Sequence, residues 1–135
     1  MSSAEKGIAP ANGVSAREVM RLDAYVSIAL GIATFFLSGS IARSLGLASS
    51  WLPVIAAVAV VVSGIDELAF AVGRRVRRFH FLPFAAVNVA AAAAALAVLV
   101  LGGSALSDAV FGILGAGVVT FGWFAVADLR AMRTL

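Results

Sequence analysis

What the chain lacks narrows it first. It has no cysteine, so disulfides, thiol nucleophiles and thiolate-held metals are excluded together with the enzyme classes built on them. Its single histidine, His80, rules out two-histidine haem ligation within one chain and His-rich metal sites. Charged residues make up only 13%, against roughly 25% in soluble domains. Three prolines are present, Pro10, Pro53 and Pro83, and none falls in the middle of an apolar run. No nucleotide loop can be read either. Gly112, Gly115, Gly117 and Gly122 sit inside an apolar stretch with no strand before them and no Lys-Ser or Lys-Thr after them.

What remains is apolar. The hydrophobic fraction is 62% and the mean hydropathy +1.06, values that belong to a bilayer rather than to water. In 135 residues there is room for one set of spans and for no soluble catalytic domain, so no enzyme and no cofactor are expected. A pI of 10.6 would suggest nucleic acid in a soluble protein. Here the cations flank apolar runs, which makes them topology determinants facing anionic lipid, and nucleic acid is not an expected partner.

The expected fold is an all-α membrane protein of four transmembrane helices in an up-down antiparallel bundle. Residues 1–14 are small, polar and turn-rich and read as a disordered cytoplasmic tail. Residues 15–133 form the membrane domain, with spans at about 22–41, 51–72, 81–101 and 109–127, each near the ~20 residues that cross the hydrocarbon. Ser15-Ala16-Arg17-Glu18 has capping-box spacing and predicts a helix start ahead of the first span. A signal-peptide reading of that span, with Ser40-Ile41-Ala42 as a cleavage site, is the alternative. Ser49 or Ser50, and Ser107 or Asp108, are candidate caps for the second and fourth helices. Pro53 and Pro83 fall in first turns, where a missing N–H costs nothing.

Orientation follows from the basic turn Gly73-Arg74-Arg75-Val76-Arg77-Arg78-Phe79-His80-Phe81. Lys6, Arg17, Arg21, Arg74, Arg75, Arg77, Arg78, Arg130 and Arg133 lie on one side of the spans, and Arg43 alone on the other. Nine cations against one place both termini of a multi-pass protein in the cytoplasm. Arg74, Arg75, Arg77 and Arg78 are candidate contacts to anionic headgroups.

Acids inside spans are the candidate chemistry, because each costs about 2.5–3.5 kcal/mol on insertion scales unless paired, neutralised or hydrated. Asp23, Asp66, Glu67 and Asp128, with Asn88, are expected at similar depth in the cytoplasmic half, as a polar or proton site or as a clasp paired with Arg21 and Arg130. Glu67 shares a face with Ala56, Ala59, Ser63 and Arg74 and so is expected to look inward past small residues, with Asp66 to one side. Ser27, Gly31, Thr34 and Ser38 follow Asp23 at spacings of four and three, which puts a small, polar stripe along one face of the first span. That stripe is either close helix packing or the wall of a polar path. Gly112, Gly115, Gly117 and Gly122 of the fourth span, facing the alanines of the third, are expected to serve close helix contact or a self-association surface. A weak repeat pairs Asp23, Ser38-Gly39-Ser40 and Asp66 with Asn88, Gly102-Gly103-Ser104 and Asp128, the parallel kind of repeat.

At Leu22-Asp23-Ala24, Gly31, Leu45-Gly46-Leu47, Gly64 and Asn88 the chain resembles small bacterial four-span integral membrane proteins with no assigned activity. The resemblance implies an inner-membrane four-helix protein and carries over no catalytic residue. The small multidrug exporters also have a first-span acid, but Asp23 is shallower and the charge bias opposes dual insertion. The Asn- and Phe-bearing centre of the fluoride channels is not found. The first functional expectation is a non-enzymatic accessory or scaffold subunit. It would act through helix contacts, with membrane lipid and a homo-oligomer or larger membrane complex as partners. The alternatives are a small ion- or proton-coupled transporter or channel using the acids, and an anionic-lipid-binding protein.

Overall fold

A computed structural model of the chain describes residues 15–73 and 78–133. Four helices account for almost all of them: α1 (Ala16–Ser44), α2 (Trp51–Gly73), α3 (Phe81–Gly102) and α4 (Asp108–Met132), with 3-10 turns at Arg78–His80 and Gly103–Ala105. No strand occurs among the described residues. All four helices are long and apolar enough to cross a membrane, with hydropathies of 1.7 to 2.4 over their best windows. This is a multi-pass membrane protein. α1, at 29 residues, spans ~43 Å and overshoots a ~30 Å hydrocarbon core.

The helix ends are set by short-range chemistry. The Ser15 side chain accepts from the Glu18 N–H at 3.2 Å, and Ser107 accepts from the Val110 N–H at 3.3 Å; each removes one orphan donor of a first turn. Ser107, rather than Asp108, is therefore the cap of α4. Pro53 and Pro83 occupy the third positions of α2 and α3, where no intrahelical donor is needed. Leu45 ends α1, and Gly46, at φ 68, turns the chain away in the left-handed region that favours glycine. At the other end of α2, the Arg17 guanidinium donates to the Ala71 carbonyl, one of the four unpaired carbonyls of that terminus.

The helices meet unequally. α1 packs closely on α2, α3 on α4, and the two hairpins join mainly through α1 and α4, while α2 and α3 touch little. The tightest approach is between α1 and α2. A Cβ on Gly31 would stand 2.6 Å from Val61 Cγ2 and 3.2 Å from the Ala57 carbonyl, and one on Gly64 would stand 2.8 Å from Ile28 Cγ1 and 3.0 Å from the Ala24 carbonyl. Each glycine opens its helix to the other's backbone, as small residues do between membrane helices.

The expected glycine face of α4 is not the close contact. Only Gly117 meets α3, with its Cβ position 3.7 Å from the Ala95 Cβ, while Gly112, Gly115 and Gly122 face open space. The buried alanines of α3 are Ala85 and Ala95, while Ala90, Ala93 and Ala94 are exposed. Composition placed small residues on both helices, but the rotation of α4 turned most of its glycines away.

Two apolar clusters divide the interior. Met20, Ala71, Phe81, Phe84 and Ala131 pack at the end where α1 begins and α4 finishes, closed further by Phe70 against the Phe84 ring at 6.0 Å and against His80 at 4.7 Å. Ile41, Ala95, Val110 and Leu114 pack toward the opposite end. The buried acids, with Asn88 and Ser27, are confined to the layer between them.

Candidate functional site, a buried carboxylate layer

Each helix contributes one long polar side chain to this layer. Asp23 on α1 and Asn88 on α3 come about two turns after their helix starts. Glu67 on α2 and Asp128 on α4 come one to two turns before their helix ends. All four are buried, with exposures of 0, 2, 2 and 0% for Asp23, Glu67, Asn88 and Asp128. One side-chain oxygen from each of Asp23, Glu67 and Asp128 lies within 4.8 Å of the other two. These residues lie far apart in the chain, and the packing of the four helices brings them together.

Asn88 organises the group. Its amide nitrogen donates to Asp23 Oδ2 at 2.6 Å and to Asp128 Oδ2 at 2.9 Å, so one side chain bridges two carboxylates. The Ser27 hydroxyl, one turn along α1, donates to Asp23 Oδ1 at 3.0 Å. Both oxygens of Asp23 are thereby bonded. Glu67 Oε1 and Asp128 Oδ1 are buried with no hydrogen-bond partner, an unusual state for carboxylate oxygens in a protein interior. No described Lys, Arg or His forms an ion pair with the three acids.

The expected pairing with Arg21 and Arg130 does not form. Both are exposed, on faces of α1 and α4 turned away from the layer. Asp66 also stands outside. It is exposed on α2, because neighbouring positions on a helix point ~100° apart and Glu67 takes the inward one. Glu67 shares its buried stripe with Pro53, Ala57, Gly64 and Ala71; Ala56 and Ala59 are exposed. In the internal repeat, the residue that answers Asp128 is thus Glu67 and not Asp66.

The stripe on α1 divides. Ser27 belongs to the carboxylate layer and Gly31 to the contact with α2. Thr34 donates to the Leu30 carbonyl at 2.8 Å and Ser38 to the Phe35 carbonyl at 2.7 Å, so their hydroxyls are used within α1. They line no polar path. Arg74, Arg75 and Arg77 lie outside the described residues, and Arg78 enters only as backbone of a 3-10 turn, as does the 1–14 tail lie outside.

A cavity of about 330 Å³ lies on the far side of the layer, among all four helices. Its walls are almost entirely apolar, reaching Leu30 on α1, Val60 on α2, Ala91 on α3 and Phe121 on α4 at the end nearest the acids. None of the four layer residues lines it. Between cavity and carboxylates stand about one turn of α3 and two of α1, α2 and α4. With the Met20, Phe81 and Phe84 cluster on the other side, the acids are enclosed at both ends. Ser27 is the site residue for which sequence offered the weakest signal, since its spacing from Asp23 fits packing as well as bonding. Comparison with known proteins supplies no relative: no family model, no curated protein and no solved structure matches the chain.

Proposed function

We propose that the chain is an inner-membrane four-helix antiparallel bundle with both termini cytoplasmic. Its function is that of a small ion- or proton-coupled transporter whose exchangeable positive charge is held by Asp23, Glu67 and Asp128. The observation that carries this reading is the convergence of three buried carboxylates from three helices with no described counter-cation. Such a group inside a membrane is too costly to keep for packing alone, whereas a site that must accept and release positive charge requires it. The enclosed position suits an occluded state, and the sparse contact between α2 and α3 is the seam along which the two hairpins can part. In this reading the protein is no enzyme, and its standing partner is lipid.

The accessory-subunit and lipid-binding expectations have less to support them. The strongly exposed apolar side chains, such as Phe36 at 80% and Leu101 at 77%, are those any lipid-facing helix presents. The decisive experiment is flux in proteoliposomes, with a trapped pH dye and with cation-sensitive dyes. Native protein should move protons or a cation. Glu67→Gln should abolish that flux and Asp66→Asn should preserve it. An inactive native protein, or a fully active Glu67→Gln variant, overturns the reading.

A further inference from the structure

We infer that Asp23, Glu67 and Asp128 bind one hard divalent cation of the Ca2+ or Mn2+ kind, with Asn88 as a positioning residue. This names the ion for the site of the transport reading, and in that sense rests on it. Every donor is a carboxylate oxygen, a set that suits Mg2+, Ca2+ and Mn2+ and does not suit softer metals. Oxygens bound to one Ca2+ at 2.3–2.6 Å can be no more than about 5 Å apart, and one oxygen from each acid of the trio lies within 4.8 Å of the other two. The smaller Mg2+ demands a tighter octahedron, which favours the larger ions.

The second observation is independent of clustering. Glu67 Oε1 and Asp128 Oδ1, on residues 2% and 0% exposed, have no donor, and both carboxylates belong to the same three-acid group. Three of the other oxygens are already used. Asn88 holds Asp23 Oδ2 and Asp128 Oδ2, and Ser27 holds Asp23 Oδ1. This is the arrangement of a ligand set oriented by outer hydrogen bonds, with open lone pairs left for the ion. A divalent cation would tie α2 to α1 and α4, linking the two hairpins.

The test uses the full chain in mild detergent, stripped with EDTA and titrated with Mn2+ followed by electron paramagnetic resonance. One Mn2+ should bind per chain, be displaced by Ca2+, and raise the melting temperature, since a ligand that binds only the folded state stabilises it. Glu67→Gln and Asp128→Asn should each weaken binding at least tenfold. Asn88→Ala should weaken it about 10- to 100-fold and alter the bound-Mn2+ spectrum while one ion still binds. Asp66→Asn should change nothing. The proposal is overturned by wild-type affinity weaker than about 1 mM, the soft end of protein Ca2+ sites. It is equally overturned by folded Glu67→Gln and Asp128→Asn proteins that bind as wild type does, an adventitious ion only. Proton flux that depends on Glu67 without Mn2+ binding would sink this inference and leave the transport reading standing. Mn2+ binding without flux would do the reverse.

Discussion

Asn88 donates to Asp23 across 2.6 Å although the two residues stand 65 positions apart, and the same amide nitrogen reaches Asp128. One neutral side chain on α3 therefore holds carboxylates of α1 and α4 in place, at the seam where the two hairpins join. Four consequences of this arrangement and of its surroundings can be measured.

Removing the bridge should be costly. Asn88→Ala withdraws the hydrogen bonds to two buried carboxylates and leaves their oxygens unsatisfied, a loss of about 1.5–3 kcal/mol for each hydrogen bond to a charged group. Unfolding in detergent should show this as reduced stability in EDTA, where no divalent ion can compensate. Unchanged stability would mean that the amide does not hold the acids.

Glycines 31 and 64 should tolerate no side chain. Gly64→Ala drives a methyl against Ile28 Cγ1 at 2.8 Å and the Ala24 carbonyl at 3.0 Å, and neither a branched side-chain stem nor a helix backbone yields easily. A loss of about 1–3 kcal/mol is expected, with a similar loss for Gly31→Ala. Gly112→Ala, which meets open space, should stay within about 0.5 kcal/mol of the parent. Equal effects at positions 64 and 112 would contradict the α1–α2 contact.

Neighbouring acids on α2 should behave oppositely. Glu67→Gln relieves repulsion in the trio and supplies an N–H to unpartnered oxygens, so in EDTA it should leave the fold as stable as the parent or more stable. Asp66→Asn changes an exposed residue and should be neutral within about 0.5 kcal/mol. Thermal unfolding of the two variants side by side checks this. A Glu67→Gln protein markedly weaker than Asp66→Asn would mean that the glutamate serves the fold itself.

The absence of cysteine makes orientation simple to test, because any introduced thiol is the only one. In intact cells, a membrane-impermeant maleimide should label Ser49→Cys and Ser104→Cys from outside and should reach Ser3→Cys only after permeabilisation. The reverse pattern would invert the topology inferred from the cations.

Some of the site was legible before any coordinates. Acids inside apolar runs are conspicuous because hydrocarbon cannot solvate them, so Asp23, Glu67 and Asp128 could be singled out, and Asn88 with them. Which of two adjacent acids enters the core could not be decided as firmly, since Asp66 and Glu67 differ by ~100° of helix rotation and small residues occupy several faces of α2. The expected pairing with Arg21 and Arg130 failed for the same reason. Closeness along the chain put opposite charges near each other, and helix rotation sent them to opposite sides.

The sequence by itself determined that the chain makes four apolar helices of membrane length, where Ser15 starts the first, and which polar residues would be expensive wherever they lay. Those properties follow from composition, local hydrogen bonding and the period of a single helix. Only the tertiary structure decided that Asp23, Glu67, Asn88 and Asp128 meet in one enclosed layer, that Thr34 and Ser38 bond back to their own helix, and that most of the α4 glycines look outward. Those outcomes depend on how each rod is turned about its axis against its neighbours, and the contacts that set that rotation, such as Gly64 against Ala24 and Ile28, exist only once the helices have packed.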